Sequence, residues 1–476
     1  MFVGRLREME VLRTEFQHAR PSLVVVYGRR RVGKSTLLQE ALADVPHVYY
    51  QATRVADLDA QMLFKAQVGR ALGGDPVLEG LVGWEPILSY LRQVGASRTR
   101  ESGKPLVVAI DEFPYLCEDN KALPSVVQKV WDEVRRSGDP LKLVLCGSHV
   151  AFMEELLAEK NPLHGRQSRE LEVGPLSFRE AALMLPGWSS EEKLRAHGVF
   201  GGMPYYLSLC DPGESLAQNI RRLVLDDGAP LREEPMHLLQ AELQAPARYA
   251  SILRAVADGL TERGEILNRV LQKGESSAGI TPYIDRLERM RLLRRAHSLD
   301  VAAPEKSRNA RYYLNDPFLA FHFRFVLPNV SALQSGHAEA VYEHRIAPKM
   351  DGYMGERFEE ICRSYVALHL QERTGAPAHT VGKIWAGDYD IDVAGETLDG
   401  RKLACECKWW QAPVGMNVLR ELEDSAGRNR YYDGEPPLYA IFARTTFTPD
   451  LVKEAAGRDD LELFLPTDLL GDPDTR

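Results

Sequence analysis

Cysteine is scarce in this chain of 476 residues: there are six, at 117, 146, 210, 362, 405 and 407, and no CxxC pair. So sparse a set makes neither a disulfide framework nor a zinc knuckle, and a reducing cytoplasm is the expected setting. Long apolar runs are also missing. The most apolar stretches, Leu23 to Tyr27 and Leu106 to Ile110, are strand-sized, so neither a signal peptide nor a membrane span is expected. No internal repeat and no low-complexity tract occurs, which excludes solenoid and fibrous designs. Nor is there an excess of positive charge. With 59 basic against 68 acidic residues the net charge is −9, and a uniformly basic nucleic-acid coat is excluded.

What remains is an ordinary globular composition, 44% hydrophobic and 27% charged. The length suits about three domains. Continuous apolar runs at Leu23 to Tyr27, Val45 to Tyr50, Leu106 to Ile110 and Leu141 to Cys146 alternate with amphipathic stretches. Strands of that kind are covered on both faces, so residues 1–150 predict a parallel α/β sheet. Residues 151–235 read as helical and close in a turn-rich linker from Asp226 to Pro235. Over 248–325 the pattern is helix, helix, a longer helix from Thr281 to Arg295 with Pro282 in its first turn, then a charged loop from Ala303 to Arg311 and the apolar Tyr312 to Leu314. That is the outline of a winged helix-turn-helix. Residues 248 to 311 carry 13 basic and 8 acidic side chains, so a local +5 lies within the acidic whole. Arg286, Arg289, Arg291, Arg294 and Arg295 are expected on the one helix, a face suited to nucleic-acid phosphates or, equally, a solvated structural face. Residues 326–476 read as helix, strand hairpin, helix, strand.

Between a predicted strand and a predicted helix lies Gly28-Arg-Arg-Arg31-Val32-Gly33-Lys34-Ser35-Thr36, which fits G-x-x-x-x-G-K-[ST]. Its glycines free backbone N–H groups to wrap phosphates at a helix N-terminus; Lys34 supplies a point charge, and the Ser35 hydroxyl suits Mg2+. The strand ending in Asp111-Glu112 offers a second magnesium-shell residue, Asp111, and a base or water-orienting acid, Glu112. Ser148, after the fourth strand, is a candidate γ-phosphate sensor. ATP and Mg2+ are therefore the expected cofactors.

A second constellation lies near the C-terminus. Gly355 to Cys362 starts an amphipathic helix with acids at 356, 359 and 360. Strand alternation puts Asp390 and Asp392 on one face, and Glu406 and Lys408 on one face of the next strand. If the strands pair across the turn from Gly395 to Arg401, Asp392, Glu406 and Lys408 converge, as metal-assisted phosphodiester cleavage requires.

The ordered strings Phe2-Val-Gly-Arg5, Tyr27 to Ser35, Ile110 to Leu116, Cys146-Gly-Ser148 and Gly201-Gly-Met-Pro-Tyr-Tyr-Leu207 resemble the archaeal-type ATPases of the AAA+/STAND branch of P-loop NTPases. The resemblance implies that Gly202 and Pro204 of the lid lie near the nucleotide base and that Arg166, with Arg169 as a rival, faces the γ-phosphate. Residues 310 to 476 resemble the PD-(D/E)xK restriction-endonuclease-like domain that accompanies these ATPases. By that motif Glu359 is the helix acid, Asp392 the central metal ligand and Glu406 with Lys408 the E-x-K pair; Ala386-Gly-Asp388 departs from it in offering no clear proline-aspartate element.

The combined expectation is an α/β P-loop NTPase sheet with a helical lid, a winged helix-turn-helix and an α/β restriction-endonuclease-like domain. It is an ATP-hydrolysing enzyme coupled to a metal-dependent nuclease-like module, with defence against foreign nucleic acid as one setting. The partner expected is nucleic acid, DNA ahead of RNA, with a homo-oligomer allowed and no membrane. The competing expectation is a non-cutting, nucleotide-switched DNA-binding or signalling regulator on a degenerate nuclease scaffold. A small-molecule kinase also uses a phosphate loop, and the two appended domains argue against it.

Overall fold

A computed structural model describes residues 2–271, 277–301, 309–434 and 436–471. The loop expected at Ala303 to Arg311 lies outside these residues as far as 308. The chain divides into two compact units. One is Met1–Leu176 with Met203–Tyr205, and the other is Ser177–Gly202 with Tyr206–Arg476.

The first unit is built on five parallel strands, β1 (Ser22–Tyr27), β2 (His47–Gln51), β3 (Val107–Asp111), β4 (Lys142–Gly147) and β5 (Arg169–Glu172), in the order β2-β3-β4-β1-β5. Every residue of β1, β3 and β4 is buried, as their unbroken apolar character requires. Helices such as Trp84–Ser102 and Leu123–Ser137 cover the sheet, and Trp84 and Trp131 share one core with Leu23, Val108 and Leu143. The order β3-β4-β1 sets the carboxyl ends of three neighbouring strands side by side, where ligands of open α/β sheets bind. β5 falls within a stretch that the sequence predicts as helical. It is a short edge strand of sequence Arg-Glu-Leu-Glu, polar because only one side pairs, and β1 recruits it in register from Val24↔Arg169 to Tyr27↔Glu172.

In the second unit, helices Pro246–Ala257, Arg263–Val270 and Ser277–Arg289 precede an antiparallel hairpin of β6 (Leu293–Ala296) and β7 (Arg311–Leu314). This corrects the reading of one helix from Thr281 to Arg295. The helix begins earlier, at Ser277, with Pro282 inside it, and stops at Arg289. Arg291 then takes a left-handed φ of 56°, its carbonyl accepts from Asn315 Nδ2 at 3.0 Å, and the chain turns into β6. Leu293 pairs with Leu314, so buried strand pairing overrides the helix propensity of Met, Leu and Arg. Arg294 and Arg295 therefore belong to a strand rather than to the helix carrying Arg286 and Arg289.

A helix from Met350 to His369 then packs on a second five-stranded sheet, β8 (Ala378–Trp385), β9 (Asp390–Thr397), β10 (Lys402–Lys408), β11 (Leu438–Ala443) and β12 (Leu461–Phe464). Its order is β12-β11-β10-β9-β8; β8, β9 and β10 are antiparallel neighbours and β10, β11 and β12 parallel ones. Within this unit Arg179 forks onto Glu372 at 2.8 and 3.0 Å and donates to the Leu469 carbonyl at 2.7 Å, while Arg444 Nη2 and Glu191 pair at 2.9 Å. These bonds tie residues 177–202 to the C-terminal sheet. His322 is buried here with neither ring nitrogen partnered, and burial depresses its pKa to about 4.

Candidate nucleotide site and C-terminal charge cluster

The phosphate loop leaves β1 at Gly28. A Cβ there would stand 2.1 Å from the Val173 carbonyl oxygen, so only glycine lets the loop pass the start of the segment after β5. Gly33, at φ 90°, caps the helix Lys34–Leu42, whose first amide groups face the loop. Val32 is fully buried beneath it and Arg31 adopts φ 68° with its guanidinium 4.5 Å over the Tyr205 ring. Arg5, a buried cation, donates to the carbonyls of Val32 at 3.0 Å and Gly174 at 2.6 Å, bracing the loop from behind. Lys34 Nζ donates to the carbonyls of Gly28 at 2.8 Å and Arg29 at 3.0 Å. Burial lowers its pKa, against the opposing pull of Cys146, Glu112 and Asp111.

Asp111 is completely buried at the end of β3. Its Oδ2 accepts from Ser35 Oγ at 2.6 Å and from Tyr49 OH at 2.6 Å, and its Oδ1 from the Glu112 N–H at 3.0 Å. Two neighbouring oxygen ligands at a helix N-terminus fit the hard cation Mg2+, which would neutralise phosphate charge. Glu112 holds a left-handed φ of 54° without being glycine, a strain on the order of 1 kcal/mol that the surroundings must enforce. Its Oε2 accepts from Ser148 Oγ at 2.8 Å and Ser148 N–H at 3.2 Å. Thus Lys34, Ser35, Asp111, Glu112 and Ser148 gather at one sheet edge, and Thr36 follows in the helix. Pro204 lies against the loop: a Cβ on Gly33 would come 3.7 Å from its ring. Arg166 forks onto Asp132 at 2.9 and 3.1 Å and Arg169 pairs with Glu15 at 2.8 Å, so both guanidiniums are held by acids of their own unit. Sequence reasoning missed the roles of Tyr49 and Arg5. An Arg following Gly4 was visible; nothing in a lone Tyr on β2 marks it.

The C-terminal cluster forms where the helix Met350–His369 crosses β8, β9 and β10. The β9/β10 pairing Cys405↔Val393 brings Asp392 beside Glu406 across the turn, as alternation predicts. Asp392 Oδ2 accepts from the Cys407 N–H at 3.1 Å. The centre of the cluster is a residue the motifs did not mark. Lys383 Nζ, on β8, lies 3.0 Å from Glu359, 2.9 Å from Asp390 and 3.1 Å from Asp392. Its pKa is raised: burial opposes this, and the three carboxylates outweigh it. Arg363 adds bonds to the Asp392 carbonyl at 3.0 Å and to Glu359 at 3.4 Å. Glu406 and Lys408 pair with each other. Burial, then the nearby Asp392 charge, pushes the Glu406 carboxyl up to about 8, and the same two causes raise Glu359. Among the described residues no group of three or more His, Cys, Asp or Glu side chains is placed to hold a metal ion. As arranged, Lys383 supplies the positive charge that a divalent ion would bring, and the set does not fit a metal.

Residues 2–210 match the family described as an ATPase domain predominantly from Archaea, and residues 322–420 match one described as archaea bacterial proteins of unknown function. An uncharacterised protein of Methanocaldococcus jannaschii is 29% identical over 415 residues, 86% of this chain and 88% of the relative. An uncharacterised ATP-binding protein of the same organism is 43% identical over 42 residues, 9% of this chain and 71% of its own. Among solved structures, the Walker-type ATPase of Pyrococcus abyssi shares the fold at a TM-score of 0.51 and 20% identity, covering 68% of this chain and 96% of that one. No described helix is long and apolar enough to cross a membrane. Over residues 2–210 the chain is similar to an ATPase domain found predominantly in Archaea, and over 322–420 to a domain of unknown function.

Proposed function

We propose that this chain is a nucleotide-driven switch that hydrolyses ATP at the phosphate loop and engages nucleic acid, DNA in particular, through its second unit. The observation that carries the ATP half is the convergence of Lys34, Ser35, Asp111, Glu112 and Ser148 on neighbouring strand ends. In this reading Lys34 and the loop amides bind the β- and γ-phosphates, and Ser35 and Asp111 hold Mg2+. Glu112 accepts the proton of the attacking water. Ser148 holds the Glu112 carboxylate, so displacement of that hydroxyl by substrate frees the base. Pro204 borders the nucleotide, while Arg166 contributes only if released from Asp132. The helices from Pro246 to Arg289 with the β6/β7 hairpin support the winged-helix reading of 248–325.

For the C-terminal domain, a restriction-endonuclease-like scaffold that does not cut is the better supported reading, because the Lys383 ammonium pairs with Glu359, Asp390 and Asp392 at the place a metal ion would need. The second reading, metal-dependent cleavage, is favoured by the approach of Asp392 to Glu406 and Lys408. Purified protein incubated with plasmid and Mg2+ or Mn2+, beside Asp392→Ala, separates them. Nicking by the unmodified chain that Asp392→Ala abolishes would overturn the non-cutting reading; intact plasmid in both supports it.

A further inference from the structure

β2 carries two successive tyrosines, and strand pleating sends them to opposite faces of the sheet. Tyr50 belongs to the core: its ring meets Phe64 edge-on with centroids 5.2 Å apart, and its hydroxyl donates to the Ala60 carbonyl at 3.4 Å. Tyr49 takes the other face and is half-buried. Pairing with β3 fixes where its hydroxyl arrives. Tyr49 stands opposite Ala109, so Asp111, two residues further along β3, is its diagonal neighbour on the same face, and the hydroxyl donates to Asp111 Oδ2 at 2.6 Å.

Asp111 is fully buried, and a buried carboxylate needs hydrogen-bond donors. Two other groups already meet that need, one on each oxygen: the Glu112 N–H donates to Oδ1 at 3.0 Å and Ser35 Oγ to Oδ2 at 2.6 Å. The Tyr49 hydroxyl is a second donor on Oδ2, beyond what burial demands. That extra donor matters once Ser35 serves an ion. A ligating hydroxyl turns a lone pair to the metal, its own bond to Asp111 loosens, and Tyr49 is then the side chain that holds Oδ2 in place. The Glu112 N–H cannot do this, because it grips the other oxygen. Carboxylates at metal sites depend on such hydrogen-bonding partners, whose loss weakens metal binding by roughly 10–100-fold.

We propose that Tyr49 is a positioning residue for the metal of the nucleotide site: its hydroxyl fixes the Asp111 carboxylate in the orientation that receives Mg2+ beside Ser35. The proposal rests on the reading of the phosphate loop as a magnesium–nucleotide site and adds to it a residue from β2, a strand outside the phosphate-loop and Asp111-Glu112 strings. A hydroxyl that served stability alone would leave metal affinity untouched when removed.

The test uses the full chain saturated with ADP and titrated with Mn2+, the free ion being read from its electron paramagnetic resonance signal so that no turnover is needed. Tyr49→Phe removes one oxygen and keeps the ring, and its Mn2+ Kd should rise at least about tenfold. The Mg2+ concentration that gives half-maximal ATP turnover should rise with it. Tyr50→Phe is the control from the same strand: it loses a hydroxyl bonded in the core and should bind Mn2+ like the unmodified chain. Equal Mn2+ affinity in Tyr49→Phe and the unmodified chain overturns the proposal, whatever happens to the melting temperature. So does equal weakening in Tyr50→Phe, which would mark a general loosening of β2. If the unmodified chain shows no ADP-dependent Mn2+ binding at all, the magnesium–nucleotide reading itself fails and the proposal falls with it.

Discussion

At the phosphate loop and at the C-terminal cluster, the chain buries ionised side chains among strand ends, and it compensates them differently. In the first unit the partners are neutral. Lys34 is held by two backbone carbonyls, Asp111 by the hydroxyls of Ser35 and Tyr49, and Glu112 by Ser148. Neutral partners can be exchanged for phosphate, magnesium or water at little electrostatic cost. In the second unit, Lys383 faces the carboxylates of Glu359 and Asp392 directly. Such pairs repay desolvation only while both members stay, so the cluster resists substitution of its charges. One region is arranged to receive charge from outside, and the other is already closed upon itself.

The largest effect that would break this comparison is catalytic. Lys34→Ala should reduce steady-state ATP hydrolysis by roughly 10²–10³-fold, the scale of losing one preorganised charge donor to the transferring phosphate. A turnover rate within a factor of about three of the unmodified chain would remove the receiving role from the loop. At the closed cluster the corresponding loss is stability. Lys383→Met takes the ammonium from the buried Asp392 and from Glu359 and should cost about 3–5 kcal/mol in chemical denaturation. A Mn2+-dependent rise in melting temperature, seen only in that variant, would show the acids can accept an ion once the lysine is gone.

Glu406 gives a finer test. Its folded pKa of about 8 exceeds the ordinary 4.5, so the folded chain keeps a proton that the unfolded chain releases. Stability should therefore fall as pH rises from about 4.5 to about 8 and level above that, by at most about 5 kcal/mol; Glu406→Gln should abolish the slope. Urea titrations at several pH values decide it, and parallel curves for the two proteins would contradict the buried, protonated carboxyl. His322 carries the smallest effect and the opposite sign. With its folded pKa depressed to about 4, the unfolded chain gains the proton first on acidification. Stability should drop by at most about 3 kcal/mol between about pH 6.5 and 4, and His322→Leu should flatten that drop.

The two regions also differ in how far they could be read from sequence. Local strings carry the phosphate loop, because its ligands are contributed by a glycine turn and by the residues ending β3 and β4. Strand alternation likewise brings Asp392 and Glu406 together from the sequence alone. Lys383 was invisible because it enters from β8, in Val381-Gly-Lys-Ile, where nothing local says that three acids surround it. β5 escaped notice because an edge strand need not be apolar. The span from Arg291 to Arg295 looked helical because pairing with residues 311–314, across a long loop, decides its conformation. In each failure, distant partners outweighed neighbours in the chain.

Met203–Tyr205 belongs to the first unit, although the residues on both sides belong to the second. The polypeptide therefore crosses between the units three times. No single recombination joint could exchange one unit for a homologue's and leave both complete: a joint after Leu176 would hand the donor's Pro204 to the recipient's phosphate loop. Substitutions at Gly33 and Pro204 must consequently be inherited as one block.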